Sequence, residues 1–189
     1  MPKRFFELAE HVRAGTWYLG DPLDEQGQEV EDPWMFRAGQ PVRVEGRLTL
    51  PVDRRGRSLD FSTAGVGVTP VVHGRLASIF TELAANDVQL LPVDVQGKQD
   101  PYYILVATKL IRCIDDKACG EVLYWLPEDE RPEKLGQYRS VAGMRIDRTK
   151  VDDAKVFRAW GWKIPLIVSE DIKTALERAK ATGVKFTEV

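Results

Sequence analysis

Apolar residues recur along this chain with two spacings, and those spacings place its elements. From Trp160 to Val189 the pattern is clearest. Residues 163–168, Lys-Ile-Pro-Leu-Ile-Val, read as a short buried strand. Pro165 has no amide hydrogen to give to a ladder, so it belongs at an edge, a strand start or a bulge. Ser169 then caps a helix, with Glu170 and Asp171 near its positive end and Arg178 and Lys180 near its negative end. Ile172, Ala175, Leu176 and Ala179 share one helical face, which a helix this short must bury to be stable. Gly183 supplies a left-handed stop, and Val184 and Phe186 face one side of a closing strand.

Elsewhere the same reading gives mostly strands. Phe5, Phe6 and Leu8, then Trp17, Tyr18 and Leu19, fit short strands joined through a turn, with a short first helix as the alternative. Val42 and Val44 alternate with Glu45 and Arg47 off their face, as in a half-exposed strand that ends before Pro51. After Pro70, the spacing of Val72, Leu76, Ile79, Phe80 and Leu83 predicts a core helix ending around Asn86. Strands follow over 88–95, 102–108 and 110–115, with a turn over 97–101, and further pairing is expected over 121–126 and 141–146. The expected fold is α+β: a mostly antiparallel sheet packed with a central helix and a C-terminal helix. Residues 1–69 form a strand-rich N-terminal lobe packed on a main domain, 70–189.

Composition narrows the partners. The net charge is −2 and the pI near 5.8, which argues against a general nucleic-acid surface. No signal-peptide core follows Met1-Pro2-Lys3-Arg4 and no uninterrupted apolar run is long enough to span a bilayer, so no membrane association and a cytoplasmic location are expected. Cys113 and Cys119 lie outside any CxxC or Cys/His set and read as reduced thiols. Charge is locally uneven: residues 21–32 hold Asp21, Asp24, Glu25, Glu29, Glu31 and Asp32 with no Lys or Arg. That interval reads as a solvated loop, or else as an acidic surface that steers a basic partner. Arg54, Arg55 and Arg57 around Gly56 read as a solvated turn.

Catalytic patterns are missing from the sequence. His11 and His73 sit in unrelated contexts, no serine occupies a GxSxG setting, and Gly65 and Gly67 lack the spacing of a phosphate loop. His73 suits the start of a helix. The adjacent acids Asp115 and Asp116 point apart in an extended chain and do not make an acid and base couple. No catalytic residue, cofactor or metal follows from these residues. A site assembled from distant Asp, Ser, Cys or His side chains stays open as an alternative, as does a structural or regulatory interaction module.

Several segments together resemble a known family: residues 88–93 (VQLLPV), 101–106 (PYYILV), Val156-Phe157-Arg158, Ile167-Val168-Ser169 and 182–186 (TGVKF). In order and C-terminal spacing they are similar to a bacterial immunity protein family of polymorphic toxin systems, most clearly over residues 70–189. The resemblance implies a cytoplasmic protein, not an enzyme, that protects the producing cell by binding a cognate protein toxin. It brings no catalytic motif. The recognition candidates are Asp24, Glu25, Glu29, Glu31 and Asp32, which supply surface potential, next to Trp34 and Phe36 as apolar anchors.

Overall fold

Apolar runs buried on both faces need a layer on each side, and the chain supplies them by interleaving two sheets around two helices. The computed structural model describes residues 3–189; Met1 and Pro2, where the leader reading and the 1–69 segment begin, lie outside the described residues. The elements are β1 (Phe5–Glu10), β2 (Tyr18–Leu19), β3 (Leu48–Leu50), β4 (Val52–Arg54), β5 (Phe61–Ala64), β6 (Thr69–His73) and α1 (Gly74–Ala84). There follow β7 (Val88–Val95), β8 (Tyr102–Ala107), β9 (Leu110–Ile111), β10 (Glu121–Tyr124), β11 (Tyr138–Ala142), β12 (Val156–Ala159), β13 (Trp162–Ser169), α2 (Glu170–Arg178) and β14 (Val184–Glu188). The fold is α+β and mostly antiparallel; the ladders β2–β5, β3–β7 and β9–β12 are parallel.

Seven strands form the larger sheet in the order β3-β7-β8-β6-β5-β2-β4. Its two edge strands, β3 and β4, are separated in sequence by Pro51 alone, so the sheet curls until its edges meet there. Along β8, Tyr102, Ile104 and Val106 face the inside of the curl with Trp17, Phe36 and Leu50, while Leu105 and Ala107 face outward onto Leu76 and Phe80 of α1. The five-stranded sheet runs β14-β1-β13-β12-β9. There Leu166 and Val168 join the helices and the first sheet, and Ile167 points the other way onto Phe5, Cys113 and Phe157. Strand β1 pairs with both β13 and β14, so strands from 1–69 and from 70–189 lie side by side.

Three carboxylates tie the layers by accepting backbone amides. Glu10 Oε2 accepts from the Thr63 amide at 2.9 Å and its hydroxyl at 2.6 Å, joining β1 to β5. Asp87, buried at the end of α1, accepts from the amides of Lys155 at 2.7 Å and Val156 at 3.3 Å and pairs with Lys109 Nζ at 2.7 Å. Asp60 takes the Arg75 guanidinium together with the Thr182 amide and hydroxyl, fixing the end of α2 to β5. Burial alone would raise the Asp60 carboxyl, but the Arg75 and Thr182 donors outweigh it and hold it at about 2.

Sequence and structure part company where the chain supplies an unforeseen partner. Val72 belongs to β6, and α1 begins one residue after the cap His73, whose Nδ1 accepts from the Arg75 amide. Val42 and Val44 are half-buried as their alternation predicts, yet they form no strand: the Gln89 side chain takes the Val42 amide at 2.8 Å and gives to its carbonyl at 2.9 Å, replacing a ladder. Of the expected strand 110–115 only Leu110–Ile111 pairs, and Ile114 makes a single bridge to Ile146. Of the expected pairing over 121–126, Glu121–Tyr124 pairs with β11, and Tyr124 is exposed and stacks on Tyr138.

At the C-terminus Ser169 occupies the cap position of α2, but its buried hydroxyl makes no capping bond. The left-handed stop is Lys180 (φ 51°), with the Ala181 amide reaching the Leu176 carbonyl and the Lys180 amide reaching Glu177. Gly183 is left-handed as expected (φ 84°), but it lies three residues beyond that stop, and a Cβ there would also sit 2.1 Å from the Phe61 carbonyl oxygen.

Two stability tests follow. Gly183→Ala is expected to cost more than about 2 kcal/mol in chemical denaturation, whereas Lys180→Gly, which relieves a left-handed side chain, should gain about 0.5–1 kcal/mol. For Asp60 the folded carboxyl titrates at about 2 against a reference of 3.8. Its contribution is therefore complete above the unfolded value and lost as pH falls from about 4 to about 2. Asp60→Asn should remove that part of the acid-induced loss while lowering stability near neutrality by about 2 kcal/mol.

Candidate functional site

The acidic interval folds as a small hairpin in which Asp24, Glu25 and Asp32, three of its six acids, hold backbone amides. Asp24 Oδ1 accepts from the amides of Gln26 and Gln28, each at 2.9 Å, and so closes the turn. Glu25 Oε1 accepts from the Arg47 amide at 3.2 Å. Asp32 caps the 3-10 turn Pro33–Arg37 through the Trp34 amide at 3.0 Å. Glu29 and Glu31 are exposed and make no side-chain hydrogen bond among the described residues. Asp21 is also without a partner, but its Oδ1 is buried, so Glu29 and Glu31 are the exposed acids free to act on another molecule.

The 3-10 turn sends its two aromatics in opposite directions. Phe36 is fully buried beside Leu50 and Ile104 and anchors the turn in the curl of the first sheet. As an exposed recognition residue it is therefore a correction: its ring meets only the protein interior. Trp34 is 51% exposed. It stands with Asp32, Met35 and Arg37 on one side of a groove of about 770 Å³.

The other walls come from distant segments. Arg131 and Lys134 project from the connection between β10 and β11, and Lys163 and Ile164 from the beginning of β13. Ile164 is 51% exposed, which corrects its place in a wholly buried run. The connection is braced from within: Arg139 pairs with Asp129 at 2.8 Å, and the Lys134 ammonium lies over the Trp125 ring at 4.7 Å. Tyr124 stacks on Tyr138, whose hydroxyl donates to Asp116.

Strand β13 presents Lys163 and Ile164 because it bulges. Its pairing with β12 jumps from Phe157↔Ile167 to Ala159↔Trp162, so Arg158 alone opposes residues 163–166. Pro165 lies in that bulge, in a strand with neighbours on both sides, as its missing amide requires. Arg158 is 2% exposed, and its Nη1 donates to the carbonyls of Ile164 at 2.7 Å and Lys163 at 3.3 Å. Its Nε and Nη2 have no protein partner. Burial, followed by repulsion from Arg37, pushes the Arg158 guanidinium down, with Glu7 opposing. Burial likewise lowers Arg37.

Electrostatically the groove has the opposite sign to the chain. It is lined by Arg37, Arg131, Lys134 and Lys163 against the single acid Asp32. Among the described residues Arg37, Lys134 and Lys163 have no ion-pair partner, and Arg131 has only a solvent-exposed one, Glu133 at 3.5 Å. Such an arrangement can bind carboxylates beside an apolar side chain. It contains no nucleophile with an adjacent base. His11 meets Arg13, His73 caps α1, and burial pushes the Cys113 thiol up to about 12. No group of three His, Cys, Asp or Glu converges as a metal site among the described residues, and no helix there is long and apolar enough to cross a membrane.

A model of an immunity protein family, Imm11, matches residues 7–189. The chain belongs to that family. No curated protein gives a significant match. Membership supports a general role in neutralising a toxin through protein interaction, and places the chain among components of polymorphic toxin systems. The match includes the N-terminal segment from residue 7, beyond the segments over 70–189 that carry the clearest resemblance.

Of the groove residues only Asp32 and Trp34 were legible as candidates. Arg37, Arg131, Lys134 and Lys163 come from three separate stretches, and the sole local sign was a lysine and an isoleucine just before a strand proline. The two aromatics give a direct check. Phe36→Ala is expected to cost about 3–5 kcal/mol of folding stability, and Trp34→Ala under about 1 kcal/mol, measured by urea denaturation.

Proposed function

We propose that this chain is the protective partner of a bacterial toxin, binding it in the cytoplasm of the cell that makes it. Neutralisation proceeds by occupancy, without turnover: the bound protein covers the toxin's active surface or holds it in an inactive state. The observation that carries this reading is the family match over residues 7–189. The groove beside Trp34 supports it by offering an exposed aromatic ringed by cations, a combination enriched where binding energy concentrates. Glu29 and Glu31 of the neighbouring hairpin would act on the encounter rate more than on the final affinity.

Coexpression with the toxins encoded beside its gene tests the proposal. The expected result is restored growth together with a stable complex on size-exclusion chromatography. Rescue with no complex, or no rescue by any such toxin, would count against it. Glu29→Gln with Glu31→Gln is expected to slow association several-fold at low salt, with little change in dissociation, by surface plasmon resonance.

A further inference from the structure

We propose that the groove between the 3-10 turn Pro33–Arg37, the β10–β11 connection and the bulge of β13 receives an acidic segment of the protein partner. Carboxylates of that segment pair with Arg37, Arg131 and Lys163, and an apolar side chain rests between Trp34 and Ile164. The assignment rests on the binding role proposed above and gives it a place and a chemistry.

Three independent features lead here. First, the groove concentrates four cations in a chain whose net charge is −2, and three of them find no acid among the described residues. Unpaired charge collected in a concave surface raises the local concentration of opposite charge. Second, Arg37 is half-buried, and Arg158 is almost wholly buried where it holds the Lys163 and Ile164 carbonyls. Arg37 lines the groove and repels Arg158, whose Nε and Nη2 are unpartnered, and although Glu7 opposes that repulsion the region stays short of negative charge. An incoming carboxylate relieves that shortage. Third, Trp34 and Ile164 are each about half exposed at the groove, so the site offers apolar area as well as charge.

The surroundings favour an acidic protein segment over a nucleic acid. Asp32 lies in the groove wall, Glu29 and Glu31 stand on the adjoining hairpin, and Glu128, Glu130 and Glu133 are exposed in the connection that supplies Arg131 and Lys134. A continuous phosphate backbone leaving the groove would run into these acids. A peptide with two or three carboxylates and neutral or basic flanks would not.

The test uses the full chain with a fluorescein-labelled peptide in which about three Glu alternate with Leu between neutral Gly and Ser flanks, a matched Lys and Leu peptide, and a ten-nucleotide oligothymidine, read by anisotropy. The acidic peptide is expected to bind and the basic one not. Arg131→Glu with Lys163→Glu, two exposed positions whose reversal leaves the melting temperature near wild type, should weaken acidic-peptide binding by about tenfold or more. Trp34→Ala should weaken it by about fivefold or more, and raising the salt should weaken it further. No binding of the acidic peptide, equal binding by the charge-reversed protein, or tighter binding of oligothymidine would overturn the assignment.

The same charge-reversed protein enters the toxin rescue assay. If wild type protects and the variant protects equally well, the groove is not the partner site although the protective role stands. If the acidic peptide binds as expected and wild type protects against no toxin, the groove chemistry stands and the protective role falls.

Discussion

A proline in an internal strand cannot be fully paired, and the way this chain resolves Pro165 shapes everything around it. Pairing with β1 reaches only as far as Leu166, and pairing with β12 skips from Ile167 to Trp162. The backbone between must turn its carbonyls somewhere. Two of them, from Lys163 and Ile164, are taken by one nitrogen of Arg158, a side chain with almost no access to water. Burying that cation is costly, and two carbonyls offset only part of the cost. What the bulge achieves is orientation: it turns Lys163 and Ile164 outward at the point where the five-stranded sheet meets the 3-10 turn. Surface chemistry and core irregularity are therefore one feature.

Around this point the layers are held in register by polar contacts as much as by the core. Glu10, Asp60 and Asp87 each reach from one layer to backbone amides of another. A carboxylate accepting several amide hydrogens fixes direction as well as distance, which apolar packing alone does not. Since the first sheet curls until its edges meet at Pro51, it offers few free strand edges, and the second sheet is tied to it at both ends of the helical layer. The loops between these ties can then vary without moving the strands.

Much of this was legible in the sequence, for identifiable reasons. Residues 102–107 are a run that meets a covered face on each side, and the alternation of buried Val93 and Val95 with exposed Asp94 marks β7; both patterns announce strands. Ile172 and Leu176 announced α2 by their helical spacing, and of the three places Pro165 allowed, an edge, a strand start or a bulge, the strand uses the bulge. Val42 and Val44 show the limit: their alternation reported half-burial correctly, but the ladder was replaced by the side chain of Gln89, 47 residues away. The Schellman turn of α2 falls at Lys180, which takes a conformation usually left to glycine, while Gly183 is left-handed as read but sits three residues later, where it also allows close approach to β5. Trp34 and Phe36, two residues apart on a tight turn, could not be sorted into exposed and buried without the strands beneath them.

The groove was beyond reach for a deeper reason. Its sign depends on where charges converge, and local sequence around Trp34 is acidic. Along the chain Trp34 follows Glu29, Glu31 and Asp32; in space it faces Arg37, Arg131, Lys134 and Lys163. Salt screens exposed charges beyond about 8–10 Å, so the sign of the groove follows from its own lining, four cations against Asp32, more than from the overall charge of −2. Asp24, Glu25 and Asp32 are meanwhile spent on turning the backbone. An acidic stretch thus builds the rim of a basic site, and alternation of sign over so short a distance is what lets a surface accept one charged partner while turning away a uniformly charged polymer.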